Sequence, residues 1–403
     1  MHHRFHLHIH RPKYFQGRIS RGYAALFTSR TITDIASGLF AVFLPIFLYL
    51  LLGESLKGVI LYYLASYVLY LFIIFFFVKD LDRLTYHRAL RMSALLGAAF
   101  YFSLFFATEN NLFYILPFSV VLVALWRFFY WIPYEVDVVK VTSKKDRAKQ
   151  LGLMEAAFGV TSIATPFIAG YVIESFGFNA LFLIGVIVFL LSSASFAFIP
   201  EIKEKFSWSK KKLLRKIVSP ENRQASLIFF ADGAEAVVHF LIWPIFVFLV
   251  LKGDYLKIGS VTTMVVSATV IMQLLAGRFI DGDGNKQKMV KWGGLLYSLG
   301  WIAKIFILTA FHIFVVDAFH RLTQIFYRTP LDVFTCDKAG EQKHLVDEFV
   351  VFREICLCLG RIFMLSVIFF FSFFAGVQWI FIFGALFSLF LSLIYSKLHC
   401  SLR

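Results

Sequence analysis

The sequence predicts an all-α polytopic membrane protein, with twelve transmembrane helices in two homologous six-helix bundles, and three observations carry that prediction. Of 403 residues, 59% are hydrophobic and 16% charged, with mean hydropathy +0.75; that lies outside the range of a water-soluble domain. Twelve apolar runs of about 20 residues follow one another, each enough to cross a ~30 Å hydrocarbon core. Lys and Arg fall in alternate connections between those runs, as short loops held on the cytoplasmic side require. The formal charge of +15 is thus spread in clusters between apolar runs rather than gathered on one soluble face. This points to the lipid bilayer as partner and away from nucleic acid.

The predicted spans of the first half are 32–52, 59–78, 92–107, 112–138, 151–173 and 180–199. Those of the second are 225–251, 258–276, 292–310, 311–333, 349–373 and 377–395, with the ninth and tenth turning at 309–312. Of the 40 Lys and Arg, 32 lie in the connections on one side and three (Lys57, Lys252, Lys257) on the other. The other five (Arg127, Lys304, Arg321, Arg353, Arg361) lie inside spans. Both termini are therefore expected in the cytoplasm, in a cytoplasmic or inner cell membrane. The basic, His-rich arm of residues 1–30 lacks the short apolar core and small-residue cleavage site of a signal peptide, so the first span is expected to stay in the chain. Cys336, Cys356, Cys358 and Cys400 fall in no external loop and are expected as free thiols.

A repeat underlies the division into halves. Residues 45–50 (PIFLYL) return as 244–249 (PIFVFL), an offset of 199. At the same offset Asp82 maps onto Asp281 and Glu155 onto Glu354, while 133–136 and 330–333 correspond at 197. Ordered anchors at nearly constant spacing imply duplication. The chain thus divides into a cytoplasmic arm (1–30), a six-helix half (31–200), a basic linker (201–223), a second half (224–396) and a tail (397–403). In the linker, seven Lys and Arg between 203 and 216 alternate with Phe206, Trp208, Leu213, Leu214 and Ile217, a basic amphipathic segment suited to an anionic leaflet.

The loop after the eighth span reads GRFIDGDGNKQK from Gly277 to Lys288, and its counterpart after the second reads VKDLDRLTYHR from Val78 to Arg88. The first resembles the cytoplasmic loop motif Gly-x-x-x-Asp-x-x-Gly-x-x-basic of the major facilitator superfamily of secondary transporters. The second keeps Asp82, Arg83 and Arg88 but has Val78 and Thr85 at the glycine positions. With two six-helix repeats and a basic middle loop, the resemblance covers essentially residues 20–400. It implies that Asp82, Arg83, Arg88, Gly277, Arg278, Asp281, Gly284 and Lys288 form a conformational latch. Paired glycines allow the sharp turn, and a carboxylate there can meet basic side chains or a helix N-terminus across the halves. A solvated basic loop explains the lysines equally well but not the repeated aspartate. In the fifth span Gly152, Thr161, Thr165, Pro166, Ala169 and Gly170 partly resemble the signature of superfamily antiporters, with Thr, Thr and Ala at three glycine positions; small residues also serve close helix packing.

Ionisable groups at membrane depth are the strongest site candidates, because they are costly unless paired or hydrated. Asp34, Glu155 and Glu354 lie within about two turns of the cytoplasmic ends and rank second. Nearer the middle are Arg127, Asp232, Glu235, His239, Asp317, His320, Arg321 and Arg361. The resemblance implies that spans one, four, seven and ten line a central cavity, which holds most of this set. Asp232, Glu235 and His239 are three and four apart, and Asp317, His320 and Arg321 three and one apart, so each set lies largely on one helical face. Glu235 with His239, or Asp317 with His320, can exchange a proton; internal pairing, Glu235 with Arg127 or Asp317 with Arg321, explains the same residues. Arg127 and Arg321 can instead hold an anionic solute. Tyr130, Trp131, Trp243 and Tyr327 are candidate lining aromatics.

Five histidines (His2, His3, His6, His8, His10) can bind a transition metal weakly, but no Cys or carboxylate joins them in the arm, and no metal site is expected. A Walker-type loop, a nucleophile elbow and clustered metal ligands are missing from the sequence, which argues against an ATP-driven pump or a hydrolase. The expectation is a monomeric, non-enzymatic secondary transporter without cofactors. It moves a small organic solute by alternating access, coupled to H⁺, with efflux by antiport ahead of nutrient or organic-anion symport. Lipid translocation, or a transport-inactive sensor or scaffold with the same fold, are the alternatives.

Overall fold

The computed structural model describes residues 21–142, 147–199, 206–280, 286–341 and 346–401, and they are helical nearly throughout. The chain opens with α1 (Arg21–Ala41) and α2 (Phe43–Leu51), which meet at a 43° bend. The helix thus already includes Arg21, ahead of the expected residue 32, because α1 runs on beyond the apolar part of the span. α3 (Leu56–Phe77) is capped by Ser55, whose hydroxyl accepts from the Gly58 N–H. A 3-10 turn (Val78–Arg83) leads to α4 (Tyr86–Phe105), then α5 (Leu112–Val141). α6 (Arg147–Phe196) is long enough to cross a bilayer twice at ~1.5 Å per residue; it is broken at Gly177 (φ 78°, ψ 174°), where the missing Cβ permits the reversal. That break falls between the expected fifth and sixth spans.

The linker contains α7 (Lys210–Val218), followed by α8 (Arg223–Val237), a π-helical turn (Val238–Ile242) and α9 (Trp243–Val250). α10 (Tyr255–Ile280), α11 (Lys286–Lys304), α12 (Ala310–Glu341), α13 (Val346–Phe371) and α14 (Phe381–Ser401) complete the chain. The ninth-to-tenth turn is at 305–309, a few residues before the expected one, because Ile305, Phe306, Ile307 and Leu308 keep the hydropathy high through it. Among the described residues seven helices are long and apolar enough to cross a membrane, or eight with the bent α1–α2 pair counted as one. The sequence expectation was twelve; α4, α11 and α12 are less apolar, and α11 and α12 carry the charged network described below.

Two prolines explain the two irregular helices. Pro45 has no N–H to return to the carbonyl of Ala41, where α1 ends, and Pro244 has none for Phe240, inside the π turn. These pairs are related by the same offset of 199. Packing follows a matching pattern: α1 lies on α6 as α8 lies on α13, α3 on α5 as α10 on α12, and α4 on α5 and α6 as α11 on α12 and α14. The crossings α6–α10 and α3–α13 join helices that precede the linker to helices that follow it.

Close crossings depend on glycine. A Cβ on Gly360 would strike the Phe230 carbonyl, and one on Gly233 the Leu357 carbonyl, so α8 and α13 touch backbone to backbone. Gly170 on α6 and Gly259 on α10 do the same, which gives part of the small-residue pattern of the fifth span a packing role. At the linker end of the α5–α13 seam, Arg353 pairs with Glu135 at 2.9 Å, and Tyr86 donates to Asp347 at 3.3 Å. The opposite end is closed by rings: Tyr49 against Phe248 (6.3 Å), and Tyr255 against Phe43 (6.5 Å) and Phe178 (5.4 Å).

Candidate functional site

The residues singled out at membrane depth gather at two places. The larger lies between α8, α11 and α12. Three carboxylates (Asp232, Glu235, Asp317) meet three cations (Lys304, Arg321, Arg328) there, so the cluster is neutral when all are ionised. Asp317 is the hub: its Oδ1 is 2.8 Å from Lys304 Nζ, an ion pair without hydrogen-bond alignment, and its Oδ2 accepts from Arg321 Nε at 3.0 Å. Lys304 is fully buried, and its ammonium lies over Trp243 (3.8 Å) and Trp301 (4.5 Å), so two ring faces replace part of its hydration. Asp232 is paired with Arg328 by a short contact.

Glu235 differs from its neighbours. Its partners are neutral donors, the Tyr297 hydroxyl at 2.6 Å and the Trp301 indole N–H at 3.2 Å, and Gln324 donates in turn to the Tyr297 oxygen at 3.3 Å. The expected pairing with Arg127 does not form; that of Asp317 with Arg321 does. His320 is buried between Tyr297 (stacked, 4.2 Å) and Trp301 (edge-on, 4.5 Å), and neither ring nitrogen has a partner among the described residues. His239 lies in the π turn, edge-on to Trp301 at 6.3 Å, with its Nδ1 also unpartnered among the described residues. Unmet hydrogen-bonding capacity beside a buried carboxyl is what a polar solute group or a proton path uses. π turns likewise recur at functional sites.

The second place is the α3–α5–α13 crossing, centred on Tyr67. Arg127 lies over one ring at 4.2 Å and Arg361 over the same ring at 5.3 Å. Arg361 is neutralised by Glu354 at 3.0 Å, whereas Arg127 donates to the Ser66 hydroxyl at 2.9 Å and has no carboxylate among the described residues. Phe240 of the π turn packs on Tyr63 and Tyr67 (5.6 and 6.1 Å), so the two places adjoin. Cys356 and Cys358 are buried free thiols on α13, and Cys358 donates to the Tyr67 carbonyl at 3.3 Å.

Other expected residues lie elsewhere. Asp34 is paired at 2.7 Å with Arg30, whose guanidinium covers Tyr134 at 4.6 Å; Glu155 is exposed. Of the aromatics, Trp243 joins the site, Tyr130 stacks on Tyr134 (5.4 Å) and Trp131 is on the surface. Of the latch set, Arg83 pairs with its neighbour Asp80 at 3.2 Å rather than across the halves, and Arg88 is exposed. Asp281 and Gly284 lie outside the described residues, as do the five N-terminal histidines, and the side chains of Asp82, Arg278, Lys288 and Tyr327 are not among those described. Gly277 falls within α10. Among the described residues no group of His, Cys, Asp and Glu is arranged to hold a metal ion.

Sequence reasoning overlooked Tyr297, Trp301 and Arg328, and ranked Lys304 no higher than its presence in a span. It also overlooked Asp137 on α5, which is buried with neither carboxylate oxygen partnered among the described residues. The available signal was spacing: 297, 301 and 304 recur at four and three, one face of α11.

A family model for the Major Facilitator Superfamily matches residues 26–251, from α1 to the end of the paired π turn and α9. The chain belongs to the major facilitator superfamily. Superfamily members are membrane transporters, and the apolar helices agree with a multi-pass membrane protein. The chain is also similar to the uncharacterized protein YqgE of Bacillus subtilis (strain 168), at 24% identity over 293 residues. That match covers 70% of this chain and 66% of YqgE, so the chain spans just under two thirds of that relative. The superfamily match supplies the class of activity, and the residues between α8, α11 and α12 supply a candidate for where it is performed.

Proposed function

We propose a secondary active transporter of twelve spans in two six-helix halves that moves a small organic solute by alternating access, with H⁺ as the coupling ion. Both termini are in the cytoplasm and the membrane is the cell membrane. The paired prolines and the matching packing of the two regions support two halves; the distribution of Lys and Arg supports the orientation.

The observation that carries proton coupling is the surroundings of Glu235. A carboxylate locked to a cation leaves that cation stranded when it is protonated, which disfavours Asp317 as the carrier. Among the described residues Glu235 accepts from Tyr297 and Trp301 alone, so a proton can come and go without breaking an ion pair. With Glu235 protonated the cluster changes from neutral to one net positive charge. The same proton then repels a cationic solute, giving antiport, or attracts an anion, giving symport. Export by antiport follows from the fifth-span pattern alone; Arg127, with no carboxylate partner among the described residues, favours organic-anion symport as the second reading.

Proteoliposomes loaded with a pH-sensitive dye and offered grouped organic cations, anions and neutral amphiphiles test this. Wild-type protein is expected to move protons with one group. Glu235→Gln, which keeps an acceptor for Tyr297 and Trp301, is expected to abolish proton movement but retain solute exchange. Uphill, pH-driven transport by the variant would refute the assignment; solute binding without flux in the wild type would favour a sensor.

A further inference from the structure

The linker helix forms one wall of a groove on the outside of the helix bundle. The groove has a volume of about 880 Å³ and runs between α3, α7 and α13, on the seam where the two six-helix regions meet. Its floor and far wall are apolar: Phe72 and Phe76 of α3 are about half exposed, and Ile355 and Leu359 of α13 close the back. The near wall is the face of α7 formed by Lys211, Leu214, Arg215 and Val218, spaced three, one and three, as one helical stripe requires. Leu214 is 50% and Val218 77% exposed.

α7 is not simply laid on the membrane, as its amphipathic sequence suggests. It is fastened to the protein: Ser207 donates both its N–H (2.9 Å) and its hydroxyl (2.5 Å) to Glu348, and Trp208 and Leu213 are buried. Ser209 caps the helix by accepting from the Lys212 N–H at 3.2 Å. The outer face is therefore held in place with two apolar side chains and two cations pointing at the same groove. No carboxylate among the described residues pairs with Lys211 or Arg215, and Lys210 covers Phe76 at 4.2 Å beside them. The lining holds no acidic residue.

We propose that this groove is a binding site for one anionic phospholipid of the leaflet on the linker's side. Lys211 and Arg215 receive the phosphate, and an acyl chain lies along Phe72, Phe76, Leu214 and Leu359. The groove's size and apolar length suit a lipid rather than a free anion, and its two cations, without a carboxylate partner among the described residues, select charge over zwitterion. Because α3 and α13 belong to different six-helix regions, the lipid bridges the seam.

The test is native mass spectrometry of the full chain equilibrated in mixed micelles with equal phosphatidylglycerol and phosphatidylcholine. Two cations, each contributing about fivefold at a charged surface, predict roughly 25-fold enrichment of one phosphatidylglycerol over phosphatidylcholine. Lys211→Glu with Arg215→Glu is expected to abolish that preference. Lys212→Glu, a single charge reversal off the stripe and beside Trp208, is expected to keep it where either Lys211→Glu or Arg215→Glu alone weakens it, and Leu214→Gln is expected to weaken retention of the lipid. Equal retention of the two lipids, equal loss in Lys212→Glu, displacement by excess inorganic phosphate, or a second protein chain seated there instead would each overturn the proposal.

Discussion

The buried triad of Lys304, Asp317 and Arg321 makes a quantitative prediction about stability. At 2.8 Å and an effective dielectric of about 20, the Lys304 and Asp317 charges attract by about 6 kcal/mol, and Arg321 at 3.0 Å adds about 5.5. Desolvation offsets most of this, so the measurable quantity is the cost of stranding a charge, about 3–5 kcal/mol. Asp317→Asn strands Lys304, which is fully buried, while Arg321, about a quarter exposed, can reach water. Adding Lys304→Met to Asp317→Asn removes the stranded ammonium and is expected to restore about 2–3 kcal/mol. The double variant is then more stable than the single one, although it lacks more native contacts. Equilibrium unfolding in mixed micelles, titrated with a denaturing detergent and followed by tryptophan fluorescence, measures all members of the cycle. Losses that simply add, with the double variant the least stable, would refute the view that Lys304 needs Asp317 for charge compensation.

Two further outcomes follow from the packing. Gly360→Ala is expected to cost about 1–3 kcal/mol, because the new methyl meets the Phe230 carbonyl; Gly152→Ala, with open space around it among the described residues, is expected to cost nothing in the same detergent titration. Glu135→Gln removes the pair with Arg353, which is partly exposed, so a population shift of about fivefold toward separation of α5 and α13 at the linker end is expected from spin-label distances.

Most of the helices were legible in the sequence because hydropathy over 20 residues follows from bilayer thickness alone. Ends were legible only where composition changes. The turn at 305–309 is apolar on both sides, and α1 extends through polar residues that a hydropathy window discounts. At the site, ionisable residues stood out against apolar spans, so Asp232, Glu235, Asp317 and Arg321 were visible. Their partners were not. Glu235 is buried, Arg127 partly buried, and they are opposite in charge, yet they lie on helices whose relative placement decides the matter, and Glu235 turned instead to two aromatic donors on α11. Tyr297 and Trp301 were hidden by abundance: in a chain with 51 Phe, 17 Tyr and 7 Trp, an aromatic residue in a span carries little signal. Arg328 lay too near the end of its span to be counted with the buried set.

The two ends of the seam are closed by different chemistry, with a consequence for rates. Glu135 with Arg353 is a partly exposed ion pair, set beside the buried Tyr86–Asp347 hydrogen bond, whereas Tyr49, Phe248, Phe43 and Tyr255 meet as rings. Electrolyte shortens the reach of the first kind within a Debye length and leaves the second untouched. In a cycle that opens the ends in turn, raised ionic strength should therefore quicken one opening and spare the other. Whichever substep limits turnover would declare itself by whether flux rises with added salt.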